Sequence, residues 1–489
     1  MPSKIARNTF FLTFASVGQK LFSFLYFTLI ARQIGVEKIG LYVTALSFSS
    51  LFSVVADLGL TQVLIREGAK EEKKLDEYLG LTIAVKLILA AFGYGVLNLT
   101  VFLLGYREEL KDLVWISGLL MILDSFTLSF YGALRSRQIL FYEAIGVISG
   151  QILIIIFGVL ALLTVPNPIF LLAALGGGSL FNAIFSFLMV KRQGIGVSFV
   201  FSKKLLKIFS LMAAPFALAG IFTKVYSYID SVLLSYLVNT KEVGYYSIPN
   251  KVAFAFQFIP MAFAAALYPA MSRFYSQDKA ALRRVFEKGL LYLAMLALPL
   301  SFGAAAVGKI FILGVYGAEY APSILPFQIL LASVIFAFLD FPIGALLNAS
   351  NRQSAQTGAM GITMASNVIM NLFLIPRFGV VGAAISALAS NIILFVIGFA
   401  WTPKIIPFPS INFWFKMLKI FICSALMGGL IMFLVWLMPA VDNFGFVKTF
   451  GFLVGLIITG GLFYIALLWI TGVLRREEIG DFLTIFKRT

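Results

Sequence analysis

The 489-residue sequence has no histidine and a single cysteine, Cys423. Without histidine the chain lacks the side chain that most often serves as a general base near neutral pH and as a metal ligand. One thiol makes no internal disulfide and no cysteine-based metal centre. Charge is also scarce. Only 12% of residues are Asp, Glu, Lys or Arg, and just 22 are acidic, whereas soluble domains carry about 25% charged residues. No Gly-x-x-x-x-Gly-Lys-Ser/Thr loop is present to cradle ATP phosphates. The formal charge of +16 has no basic soluble domain to display it, which sets nucleic-acid binding aside.

Apolar sequence is abundant: 61% of residues are hydrophobic. Runs of about 20 apolar residues recur, each long enough to cross a hydrocarbon layer of ~30 Å. They predict about fourteen membrane helices, near 9–31, 41–65, 78–104, 113–134, 141–164, 168–190, 210–238, 246–271, 289–313, 321–347, 356–375, 380–400, 414–438 and 446–473. The runs are apolar all round apart from polar stripes, so they read as helices and not as barrel strands. The basic segment Met1–Arg7 precedes a full-length apolar run without a clear small-residue cleavage site, which reads as a retained span. With the N-terminus inside, 26 of the 38 Lys and Arg fall in inside segments and 8 outside. That bias predicts cytoplasmic termini.

The chain repeats itself. A shift of 204 residues carries Lys20 onto Lys224, Gly40 onto Gly244 and Tyr42 onto Tyr246. Gly132-Ala133-Leu134 ends span four as Gly344-Ala345-Leu346 ends span ten, and Arg137-Gln138 and Arg352-Gln353 follow them. Six helices separate the copies, so both enter the membrane in the same direction, a parallel repeat about the membrane normal. The expected layout is an N-lobe at 1–190, a basic linker at 191–209, a C-lobe at 210–400 and an appended helix pair with a tail at 401–489.

Charges inside spans are the candidate functional groups, because each costs about 2.5–3.5 kcal/mol at mid-depth on insertion scales. Lys20 and Lys224 sit about 17 and 21 Å from the cytoplasmic ends of their helices at 1.5 Å per residue, too deep for easy snorkelling. Lys86 and Lys251 are shallower. The intramembrane acids are Asp57, Asp124, Asp230 and Asp340, available for charge pairing or ion coupling; Asp57 and Lys20 lie at similar depth and are candidate partners. Arg66, Arg135, Arg273 and Arg352 mark cytoplasmic helix ends, where an arginine anchors the interface or meets a phosphate. Polar residues recur at helical spacing, as at Ser179, Asn182 and Ser186 or at Asn367 and Asn371, a pattern suited to a water-filled interior.

Three stretches carry a family resemblance: Ile30 to Tyr42, Asp57-Leu-Gly-Leu-Thr-Gln-Val-Leu-Ile-Arg66-Glu67, and Pro376-Arg-Phe-Gly379-Val-Val-Gly382-Ala-Ala384. With the 6+6+2 layout they resemble the multidrug/oligosaccharidyl-lipid/polysaccharide flippase superfamily, and within it the polysaccharide-synthesis (O-antigen type) flippases. The resemblance implies an all-α, V-shaped pair of bundles around a cationic central cavity in the inner membrane, with no catalysis and no cofactor. It implies an undecaprenyl-diphosphate-linked oligosaccharide carried from inner to outer leaflet by alternating access. Lys20, Lys86, Lys224, Lys251 and Arg66 would meet the diphosphate, and H+ or Na+ is a candidate coupling cation at the intramembrane acids. Polysaccharide polymerase or assembly proteins are the implied partners. A lipid II flippase, a multidrug exporter of the same superfamily and a membrane glycan polymerase or ligase stand as alternatives. Deep lysines argue against an exporter of cationic drugs, and short outside loops against the enzyme.

Overall fold

The computed structural model describes residues 2–199, 202–437 and 446–474, with only the backbone described at 2–14, 16, 446 and 447. The predicted tail beyond 474 lies outside the described residues. The described chain is helical: α1 Pro2–Asp57, α2 Leu60–Lys70, α3 Leu75–Leu103, α4 Glu108–Ser136, α5 Phe141–Thr164, α6 Pro168–Arg192, α7 Lys203–Leu237, α8 Thr240–Phe256, α9 Phe258–Gln277, α10 Lys279–Phe311, α11 Ile324–Ala349, α12 Gln353–Ala400, α13 Ile411–Trp436 and α14 Phe446–Ile470.

Twelve helical stretches among the described residues are long and apolar enough to cross a membrane. Two of them, Val17–Asp57 and Gln353–Lys404, run for 41 and 52 residues. At 1.5 Å per residue these reach about 60 and 80 Å, twice the thickness required. Each is broken by a glycine outside the helical region, Gly35 (φ 78°, ψ 171°) and Gly379 (φ 54°, ψ −132°). Only glycine takes such angles without a Cβ penalty. Each long stretch is therefore two crossings, and the total is about fourteen. The chain is a multi-pass, all-α membrane protein.

Local chemistry starts the helices. Asn167 accepts from the Ile169 amide, with Pro168 at the first helical position of α6; Ser202, Asp278 and Ser410 cap α7, α10 and α13 in the same way. Each cap satisfies an amide that has no intrahelical partner.

The second expected span does not run through to residue 65. It ends at Asp57, and the chain turns through Leu58 (φ 41°) and Gly59 (φ 77°) before α2 begins. Gly59 has no room for a side chain either, since a Cβ there would lie 2.8 Å from the Ala213 carbonyl oxygen of α7.

The chain forms two compact units, Met1–Gly244 and Tyr245–Thr489. In the first, Leu60, Val63, Leu64, Leu75, Leu79, Leu134 and Phe209 bury one apolar cluster that joins α2, α3, α4 and the start of α7. The segment after α6 is held across α3: the Gly196 amide donates to Asp76 Oδ1 at 2.9 Å and the Ser198 amide to the Asp76 carbonyl at 3.1 Å. The repeat-related glycines also meet within this unit. A Cβ on Gly40 would lie 1.9 Å from the Thr240 carbonyl oxygen, and one on Gly244 would lie 2.2 Å from that of Val36. Val36 and Thr240 are themselves 204 residues apart, so the contact is pseudo-symmetric.

In the second unit α10 packs against α9, α11 and α13. Ser301 donates to the Leu331 carbonyl at 2.6 Å, Tyr464 of α14 donates to the Met295 carbonyl at 3.0 Å, and Gly428 of α13 lies flush against Phe302. Glu287 ties α10 to the start of α13, accepting from the Ser410 amide at 2.7 Å, the Ser410 hydroxyl at 3.1 Å and Arg283 at 2.8 Å.

Candidate functional site

The ionisable groups of the first unit fall into two arrangements. One is closed. Lys86 of α3 is fully buried, and its ammonium is 2.5 Å from Asp57 Oδ1. It also donates to Thr61 Oγ1 and to the Ser125 carbonyl, each at 2.8 Å. Ser125 in turn donates to the Ala56 carbonyl at 3.1 Å. Asp57 further accepts from the Gly59 amide at 3.2 Å and from Thr61. The carboxylate thus caps α2 across the helix break while it neutralises Lys86. An ammonium has three protons to place, and all three are placed here. The candidate Lys20–Asp57 pair does not form; the Asp57 partner is Lys86.

The second arrangement is open. Lys20 is exposed near the middle of its span, and no carboxylate among the described residues lies within ion-pair distance of it. Lys224 of α7 is half-buried, with its ammonium 5.5 Å from the centre of the Tyr228 ring and no ion pair among the described residues. Asp124 of α4 is hydrogen-bonded by Ser179 of α6 and lies within electrostatic reach of Lys224. Its side chain is exposed.

The remaining candidates are dispersed. Arg66 is exposed on α2, 3.6 Å from Glu67. Asp230 is buried on α7, Lys251 half-buried on α8, and Asp340 half-buried on α11 beside Gly398. Arg135 binds Glu143 through two N–H groups. Two of the polar stripes turn out to be packed. Asn367 and Asn371 are fully buried, with the Asn371 amide donating to Asn367 at 3.1 Å. Asn182 accepts from Tyr131 at 3.0 Å and fills the space beside Gly146 and Gly150. Helical spacing identified both stripes but did not say whether water or a neighbouring helix would face them. Thr61 and Ser125, which hold Lys86, went unrecognised as its partners. The only signal was Thr61 one helical turn beyond Asp57.

Helices that carry charge at depth are the architecture of a polytopic transporter. The family profile described as "Polysaccharide biosynthesis protein" matches residues 5–275, more than half of the chain, and the profile "MatE" matches residues 215–373. The chain belongs to the polysaccharide biosynthesis protein family, within the multidrug/oligosaccharidyl-lipid/polysaccharide superfamily.

Among curated relatives, "Probable flippase AglR" of Haloferax volcanii is 29% identical over 185 residues, 37% of this chain and 38% of that protein. "Probable low-salt glycan biosynthesis flippase Agl15" of the same organism is 23% identical over 425 residues, 79% of this chain and 81% of that one. The fold is that of a structure titled "Lipid II flippase MurJ, inward closed conformation". The TM-score is 0.73 at 18% identity, covering 95% of this chain and 99% of that one.

Proposed function

We propose that the protein flips a polyprenyl-diphosphate-linked oligosaccharide, undecaprenyl being the carrier the family resemblance implies, from the inner to the outer leaflet by alternating access. The observation that carries this reading is the contrast between Lys86 and the pair Lys20 and Lys224. One buried lysine has every proton engaged by protein. The other two are deep in their spans and form no ion pair among the described residues, Lys20 being exposed and Lys224 having Asp124 only within electrostatic reach. Free cations at mid-depth are costly unless water or an anionic ligand meets them, and a diphosphate with acidic sugars is such a ligand. Lysine suits a moving anion, since it acts as a compact charge without a fixed fork. Lys251 and Arg66 are the further candidates along the path, and Lys86 serves it by holding α1, α2, α3 and α4 together. The glycan flippase names of AglR and Agl15 support the substrate class. Lys224 and Asp124 are the pair at which a cation would act in coupling, because protonation of Asp124 would release Lys224 to the substrate. The Lys and Arg bias supports cytoplasmic termini, and the inner membrane is the location that the family resemblance implies.

The test is translocation of a fluorescent lipid-linked oligosaccharide in proteoliposomes. Lys20→Ala and Lys224→Ala should each slow flipping at least tenfold, and Lys→Arg variants should retain most of it. Wild-type rates in both alanine variants would remove these lysines from the mechanism. Depletion in cells separates the lipid II reading: lysis would favour lipid II, and loss of surface polysaccharide favours the substrate proposed here.

A further inference from the structure

The repeat-related corners at the basic-rich ends of the two units are built from different charges. In the first unit the corner follows α4, and one turn residue, Gln138, is left-handed (φ 59°). Each arginine there meets an acid: Arg135 binds Glu143, and Arg137 pairs with Glu72 at 2.9 Å while donating to the Gln193 carbonyl at 2.8 Å. In the second unit the corner follows α11, with Asn351 left-handed at the same φ of 59°. Here Arg352 meets cations. Its guanidinium carbon is 5.7 Å from the centre of the Trp401 ring, and Lys404 places its ammonium 3.9 Å from that same centre. Arg352 donates to the Lys404 carbonyl at 3.4 Å. Lys279, 3.5 Å over the Tyr275 ring, is close enough for Arg352 to repel it.

Among the described residues no carboxylate lies within ion-pair distance of Arg352, Lys404 or Lys279. The nearby acids are engaged elsewhere. Asp278 accepts from the Ala280 and Ala281 amides at 2.8 and 3.0 Å and faces Arg284 at 3.7 Å. Glu287 is taken by Arg283 and Ser410. Two cations thus share one indole and Arg352 also repels Lys279 beside it, and a ring face offsets only part of such repulsion. A general excess of basic residues on this side accounts for their sign but not for the convergence of Arg352 and Lys404 on Trp401, nor for the missing acids that the first unit supplies at its own corner.

We propose that this corner, formed by Arg352 and Lys404 at Trp401 with Lys279 at Tyr275 beside them, binds the phosphate-bearing headgroup of a membrane lipid. Arginine presents a planar pair of N–H donors to a phosphate, the two lysines add point charges, and tryptophan is at home at headgroup level. A diphosphate brings the two to three negative charges that the cluster lacks. Two lipids have this chemistry, the lipid-linked diphosphate and an anionic bulk phospholipid. The transport role of the site, as a loading position before the deep lysines, rests on the flippase reading; the binding itself does not.

The test uses the full chain in phosphatidylcholine nanodiscs, titrated with farnesyl diphosphate and with inorganic diphosphate by calorimetry. The double variant Arg352→Gln/Lys404→Gln should weaken farnesyl diphosphate at least about tenfold, as expected on loss of charge-assisted hydrogen bonds, and Lys404→Arg should retain the affinity. If the double variant melts early, the exposed Lys279→Gln takes its place and should weaken binding severalfold. Nanodiscs containing one third phosphatidylglycerol separate the sources. Competition by that lipid assigns the site to bulk headgroups, and undiminished binding assigns it to the lipid diphosphate. Unchanged affinity in a well-folded variant overturns the site even where wild-type flipping is intact. Lost affinity in the variant supports the site even where wild-type protein shows no flipping, an outcome that would sink the transport reading alone.

Discussion

At the residue scale the informative comparison is among lysines. Lys86 is fully buried beside Asp57, and separating such a pair leaves an uncompensated charge in a low-dielectric interior. Lys86→Ala is therefore expected to destabilise the protein by about 3–5 kcal/mol, whereas the double change Lys86→Met/Asp57→Asn should cost much less, because no charge is stranded and the amide oxygen still caps α2. Thermal melting of the detergent-solubilised protein measures both, and equal melting of the two variants would show that the pair is not coupled. Asp124 makes the opposite case. Asp124→Asn removes the negative charge near Lys224, so diphosphate binding should tighten while turnover falls, a KM-against-kcat split that loss of structure would not produce.

At the scale of elements, two kinds of glycine matter. Gly35 and Gly379 turn long helical stretches into pairs of crossings. Gly379→Ala should cost about 1–3 kcal/mol, because only glycine enters this positive-φ region without strain. Gly40 is different: it brings α1 against the Thr240 carbonyl. A methyl group there meets backbone and not a flexible side chain, so Gly40→Ala should open this crossing and lower transport severalfold. Gly18→Ala, with nothing within 4 Å, serves as the control, and equal transport by both variants would refute a tight crossing. The helices themselves were largely legible from run length and hydropathy, because crossing a bilayer imposes a minimum apolar length. The break at Leu58–Gly59 was not, since the apolar run continues past it. What ends the helix is Asp57 turning back to cap α2, and Gly59 set against α7.

For the whole molecule, the flipping proposed above would draw on gradients or on substrate supply and not on ATP. Flipping in proteoliposomes should proceed without nucleotide, and an absolute ATP requirement would contradict the proposal. Which groups carry function could be read only partly from the chain. The deep lysines stand out in one dimension because any charge inside an apolar run does. Which of them is neutralised depends on contacts between helices, as between Lys86 of α3 and Asp57 of α1.

The sequence by itself determined the class of protein, the approximate number of crossings and the internal repeat, because hydrophobic length and periodicity act locally along the chain. Only the tertiary structure decided which lysine is locked to Asp57, which polar stripes are packed, and where cations gather without acids. The physical reason is that the state of a buried charge is set by what surrounds it within a few ångströms, and in a helical bundle most of those neighbours come from other helices.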